Sequence, residues 1–128
     1  PKLLTQNPIY QYKIMKVIIA GSRNFNDYNL LKSSCDNLLT QFTNIEIVSG
    51  TARGADKLGE KYAREKGYDI KEFPANWSLG KSAGYIRNDE MAKYADMLIA
   101  FWDGTSKGTK HMIDLANKRG IKVEIVIY

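Results

Sequence analysis

One cysteine, one histidine and three prolines are all that the 128 residues hold of those types. With Cys35 alone, an intrachain disulfide framework and a cysteine-built zinc site are excluded. His111 has no second histidine at metal-ligand spacing, so it reads as a helix-surface residue and no metal is expected. No apolar run approaches the roughly 20 residues of a membrane-spanning helix, and no secretory leader is recognisable. A reducing, cytoplasmic setting without a membrane partner is the default expectation. Neither G-x-G-x-x-G nor G-x-x-x-x-G-K-[ST] occurs, which removes the standard dinucleotide fingerprint and the Walker-type ATPase loop. What is present is a chain of one-domain length, with 19 Lys and Arg against 14 Asp and Glu. The net charge of +5 favours anionic partners only weakly, because solubility accounts for it equally well.

Residues 1–14 carry two of the prolines and no clear period, and read as an N-terminal extension or expression remnant. The domain is expected over 15–128. MKVIIA at 15–20 is a short apolar run ending at Gly21, as a buried strand would. A helix over about 27–40 follows, with Asp27 as cap and Leu31, Cys35 and Leu38 on one face. Cys35 there reads as a core filler. IEIVS at 45–49 is a second strand. The helix over 55–66 turns Ala55, Leu58, Gly59, Tyr62 and Ala63 inward and stops at Gly67. A third strand at 68–73, a long loop at 74–84, a helix over 84–94, a strand at 96–102, a helix ending at Gly120 and a strand at 121–128 complete the chain. Such alternation predicts a three-layer α/β fold with a mostly parallel sheet in the order 3-2-1-4-5. The closing strand would be a sheet edge, a place that suits pairing with a second copy into a homodimer.

In sheets of this kind ligands bind beyond the carboxyl ends of the strands, where the strand order reverses. Three loops are predicted to meet there: GSRNF at 21–25, SGTARGAD at 49–56 and DGTSKGT at 103–109. Each combines glycine with small hydroxyls and one cation, namely Arg23, Arg53 and Lys107. Glycines let backbone N–H groups form a nest for phosphate oxygens, and a following helix adds its positive end. Turn and capping chemistry explains one such loop, but three in register with a cation each point to an anion site. The candidate binding residues are Gly21, Ser22, Arg23, Ser49, Gly50, Arg53, Gly54, Asp56, Asp103, Gly104, Thr105, Ser106, Lys107, Gly108 and Thr109. Arg87 and Asn88, at the start of the helix after the long loop, either bring a further cation to the cleft or leave Arg87 paired with Glu90 three residues on. Trp77 either covers a base or packs beneath its own loop.

The ordered motifs GSRNF, SGTARGADK, FPANW, AGYIRNDEM and AFWDGTSKGTKHMID resemble the YspA-type, YpsA-related branch of the SLOG superfamily from Met15 to Tyr128. The resemblance implies a Rossmann-like fold and a site for a nucleotide or nucleotide-derived ligand, including NAD- or ADP-ribose-related ones, held by a sensor or sequestering module. Two relatives of that superfamily imply different activities. Lonely-Guy phosphoribohydrolases share an arginine that Arg87 resembles and a Gly-Thr turn that Gly108-Thr109 resembles. Their turn is followed closely by a catalytic glutamate. Here Lys110 and His111 follow instead, and the first carboxylate is Asp114. Cleavage of an N-glycosidic bond builds positive charge that a lysine opposes, so this hydrolase reading needs a substitute carboxylate, for which Glu90, Asp103 and Asp56 are candidates beside Arg87. The DNA-processing protein A family shares GSR, SG-x-ARG-x-D and an Arg-Asn pair, here Gly21-Ser22-Arg23, Ser49 to Asp56 and Arg87-Asn88. That likeness implies single-stranded DNA, for which Trp77, Phe25 and Trp102 would supply stacking. The helices carry no sustained basic stripe, which ranks a strand behind a small nucleotide.

Overall fold

In the computed structural model, residues 13–128 are described, so the predicted extension lies outside the described residues except for Lys13 and Ile14. Strands and helices then alternate: β1 (Met15–Gly21), α1 (Tyr28–Leu38), β2 (Ile45–Ser49), α2 (Ala55–Lys66), β3 (Asp69–Glu72), α3 (Ala83–Tyr94), β4 (Met97–Trp102), α4 (Lys107–Arg119) and β5 (Lys122–Ile127). A 3-10 segment, Trp77–Ser82, occupies most of the stretch predicted as a loop and runs straight into α3. Its lack of a 3.6-residue period hid it, and Gly80 at φ 85° breaks it from within.

All four strand pairings are parallel and the order is β3-β2-β1-β4-β5, as predicted, in a Rossmann-like α/β fold. β1 and β4 are neighbours, with Val17 opposite Met97 and Gly21 opposite Phe101. The central strands are apolar on both faces because helices cover both. Val17, Ile19, Ile47, Met97, Ile99 and Phe101 meet Leu31 and Cys35 of α1 and Ala55, Tyr62 and Ala63 of α2. Ile18, Ala20, Val48, Leu98 and Ala100 meet Met91 and Ala92 of α3 and Met112, Ile113 and Ala116 of α4. Each fully buried aliphatic side chain of this kind stabilises the fold by roughly 1.5–3 kcal/mol. Cys35 is buried as predicted, and burial pushes its thiol up to about 12, which makes it inert.

The two outer strands are polar or part-exposed, and β5 leaves Ile125 and Ile127 exposed. Among the described residues no helix is long and apolar enough to cross a membrane. β1 leads into α1 on one face of the sheet and β4 leads into α4 on the other. The loops leaving these two neighbours therefore part, and a cleft opens between them.

Candidate functional site

The cleft measures about 550 Å³ and takes its wall from all three predicted loops. Gly21, Ser22, Arg23 and Asn24 line it from the end of β1, Ala52, Arg53 and Asp56 from the end of β2, and Asp103, Ser106, Gly108 and Thr109 from the end of β4. The 3-10 segment and α3 close the fourth side with Trp77, Lys81, Gly84, Tyr85, Arg87 and Asn88. Trp77 is 58% exposed at this rim, so it does not pack beneath its own loop.

Ser22, Asp56, Arg87, Asn88 and Thr109 are buried polar residues of this wall. Arg87 follows Ala83 and precedes Met91 at four-residue steps, so it stands where α3 faces inward. It is 8% exposed, and its Nη1 donates to the Gly50 carbonyl while its Nε donates to Asn88 Oδ1 at 3.1 Å. Gly50 is needed at that point: a Cβ there would lie 2.8 Å from Asp56 Oδ2 and 3.0 Å from Arg87 Nη1. Burial lowers the Arg87 pKa, the Asp56 carboxylate opposes that fall, and the charge of Arg23 adds to it. Arg23 is thus near enough for the two guanidinium groups to repel, which an anion between them would relieve. Burial pushes Asp56 up to about 6, against the pull of the Ala52 N–H and of Arg87.

The loops use their backbone donors differently from the predicted nest. Thr51, at φ 65°, donates its N–H to Ser49 Oγ at 3.0 Å, and Ser49 in turn donates to the buried Glu60 at 2.6 Å. The Ala52 N–H goes to Asp56 Oδ2 at 3.1 Å. In the third loop the N–H groups of Thr105 and Ser106 both turn to Asp103 Oδ1, at 2.9 and 2.8 Å, and hold that carboxyl below its usual range. Ser106 caps α4 by accepting from the Thr109 N–H. By contrast, the N-termini of α2 and α3, which reach the cleft at Arg53 and at Gly84, have no side-chain cap. One more group is unanswered. Ser22 Oγ, in a residue 3% exposed on the cleft wall, is the one buried side-chain polar atom among the described residues without a hydrogen-bond partner.

The residues named from the sequence divide: Ser49 and Gly50 are buried, and neither they nor Gly54, Gly104, Thr105 and Lys107 are among the residues lining the cleft. Lys107 is exposed, between Ser106 and Gly108 of the wall. Glu90 is exposed and outside the cleft, and Arg87 turns to Gly50 and Asn88 in place of pairing with it. Phe25 is 2% exposed and stacked on Phe101, Trp102 is half-buried against the core on the α3 and α4 side, and neither lines the cleft. His111 is half-buried against Tyr85 and within reach of Asn88, not a plain surface residue. Sequence reasoning passed over Asn24, Lys81, Tyr85 and Glu60. Glu60 had a signal, since it lies four residues after Asp56 on the same helix.

A model of the YspA, cpYpsA-related SLOG family matches residues 15–80. The gene 61 protein of Mycobacterium phage D29 is 36% identical over 116 residues, covering 84% of this chain and 93% of its own. Among solved structures, DNA processing protein A from Streptococcus pneumoniae superposes with a TM-score of 0.70 at 17% identity, over 93% of this chain and 52% of that one. DNA processing protein A from Helicobacter pylori, solved for its single-stranded DNA binding mode, gives 0.61 at 19% identity, over 87% and 64% respectively. The chain therefore spans less than two thirds of either structural relative, and at these identities the likeness is one of fold.

Proposed function

Because the chain belongs to the YspA, cpYpsA-related SLOG family, whose model and phage relative it matches, we propose that its cleft binds a phosphorylated nucleotide or nucleotide-derived ligand of the ADP-ribose or NAD kind. In this reading the protein is a sensor or sequestering module. The carrying observation is the convergence of Arg23, Arg53 and Arg87 with the unpartnered Ser22 hydroxyl on one cleft. A phosphate there accepts from Ser22 and from the arginines, and gains from the positive end of α2, which has no side-chain cap. Trp77 at the rim offers an aromatic face to a base, and Asn88 lines the same cleft, where the second lone pair of its amide oxygen can accept from a ribose hydroxyl.

Calorimetric titration with AMP, ADP-ribose and NAD tests this reading. Saturable binding is expected, and Arg53→Ala should weaken it roughly ten- to hundredfold, the equivalent of one charge-assisted hydrogen bond. Folded protein that binds none of the three would overturn it. Chromatography of the same mixtures for free base separates binding from N-glycosidic cleavage. Of the candidate carboxylates, Glu90 is away from the cleft, while Asp56 and Asp103 both line it, each with one oxygen held by backbone N–H groups.

One observation favours a second reading. Trp77, Tyr85 and Lys81 form an exposed aromatic and basic rim beside Arg23 and Arg53, and a single strand uses such a rim for stacking and backbone contacts. The H. pylori relative is a protein described as binding single-stranded DNA. Oligonucleotides of increasing length in the same titrations decide between the two.

A further inference from the structure

The orientation of the Asn88 amide is fixed by contacts on both of its ends. Arg87 Nε donates to Asn88 Oδ1, so the amide oxygen faces Arg87 and the amide nitrogen faces away. That nitrogen donates to the Gly108 carbonyl at 3.4 Å and lies 3.2 Å from His111 Nδ1. An amide nitrogen donates and does not accept. His111 Nδ1 must then be a bare acceptor, with the ring neutral and its proton on Nε2. The Tyr85 ring packs on the imidazole, 4.2 Å away between centroids and tilted by 34°.

We propose that His111 is a positioning residue for Arg87, acting through the Asn88 amide. The neutral ring accepts from that amide and so keeps the amide oxygen on Arg87 Nε. A proton on Nδ1 sets two donors against each other. Turning the amide around relieves that clash but presents its NH₂ to Arg87 Nε, again donor against donor, and Arg87 keeps the Gly50 carbonyl alone. The proposal rests on the reading of Arg87 as a cation of the nucleotide cleft and adds a regulation of that same site.

The groups around the ring are few. Asp114 on α4, paired with Lys110, and Asp89 on α3, paired with Lys93 and Arg119, both favour the protonated form, and burial opposes them and prevails. On the Arg87 side, Asp56 also titrates, near 6, so a variant is needed to separate the two groups.

The test is ¹⁵N NMR of the full chain without any ligand, between pH 4.5 and 8. At pH 7.5 the His111 ring should show the Nε2–H tautomer. On acidification the Arg87 Nε–H resonance should move with the His111 midpoint. His111→Asn places an amide oxygen where Nδ1 stood, so it should hold the pH 7.5 position of that resonance apart from the movement due to Asp56. His111→Phe keeps the ring on Tyr85 without an acceptor, so it should show the acidic position throughout. An Nδ1–H tautomer at pH 7.5 overturns the proposal, as does an Arg87 movement in His111→Asn equal to that of wild type. Wild type and His111→Asn decide the matter if His111→Phe does not fold. Failure to bind any nucleotide would count against the reading of the cleft and would leave this coupling standing.

Discussion

Asp56 is 6% exposed at the base of a cleft whose other charged groups are mostly cations, and its carboxyl is raised to about 6 by burial. A carboxyl raised in the folded state binds its proton there while the unfolded chain has already lost it. Stability should therefore fall as pH climbs from about 4 to about 6 and stay reduced above that. A shift of about two units corresponds to roughly 3 kcal/mol. Asp56→Asn keeps an acceptor for the Ala52 N–H and removes the titration. Urea denaturation should show the variant gaining on wild type by up to roughly 3 kcal/mol between pH 4 and pH 7. A gap independent of pH would mean that Asp56 titrates in the folded protein as it does in the unfolded chain. The cause of this burial lies at Gly50, where the missing side chain lets Asp56 and Arg87 close on the same backbone. Spacing along the chain marked Asp56 and Arg87 as loop and helix residues, but it could not say that they meet, because the contact joins α2 to α3 across 31 positions of sequence.

Strand ends were readable to within about a residue because each of the inner strands is apolar on both faces and stops at a turn. The direction of α3 was not. Its inward ladder Ala83, Arg87, Met91 contains a charge, which breaks the apolar face that periodicity reasoning relies on, so the i, i+3 step to Glu90 looked as good. Partners on β2 and α2 decide that Arg87 points in, and such long-range partners leave no trace in local spacing. α2 was legible for the opposite reason. Ala55, Leu58, Gly59, Tyr62 and Ala63 were expected on the inner face, and all are buried but Leu58, which is half-buried against the core. Gly59 sits there because β1 passes close: an added Cβ would lie 2.8 Å from Ile19 Cβ and Cγ2. A helix-interior Gly→Ala change ordinarily stabilises by up to about 1 kcal/mol. Here the overpacking of a rigid β-branched neighbour on the central strand should prevail. Gly59→Ala is expected to lose roughly 1–3 kcal/mol in thermal or urea denaturation. A stability gain would show that α2 moves off the sheet freely.

At the scale of the whole molecule, the strand order places one cleft at one edge of the sheet, between β1 and β4, and that geometry limits what it takes. A volume of about 550 Å³ is in the range of small-molecule sites. A strand needs a cationic track that continues beyond such a cleft. The cations on the cleft wall are Arg23, Arg53, Lys81 and Arg87, enough for a few phosphates and no more. Counterion release scales with the number of phosphates neutralised, about 0.7 per phosphate for a single strand. Contact with two or three phosphates gives a slope of log K against log salt of roughly −1.5 to −2 and an affinity that stops rising after the second or third nucleotide. A lengthening series of oligonucleotides, titrated at several salt concentrations, should show that plateau and that shallow slope. A slope that steepens with each added nucleotide would mean that basic surface outside the cleft follows the backbone. The likeness to the DNA processing proteins would then extend from fold to ligand, and the exposed Trp77 and Tyr85 would serve as a stacking platform for successive bases in place of a cover for one.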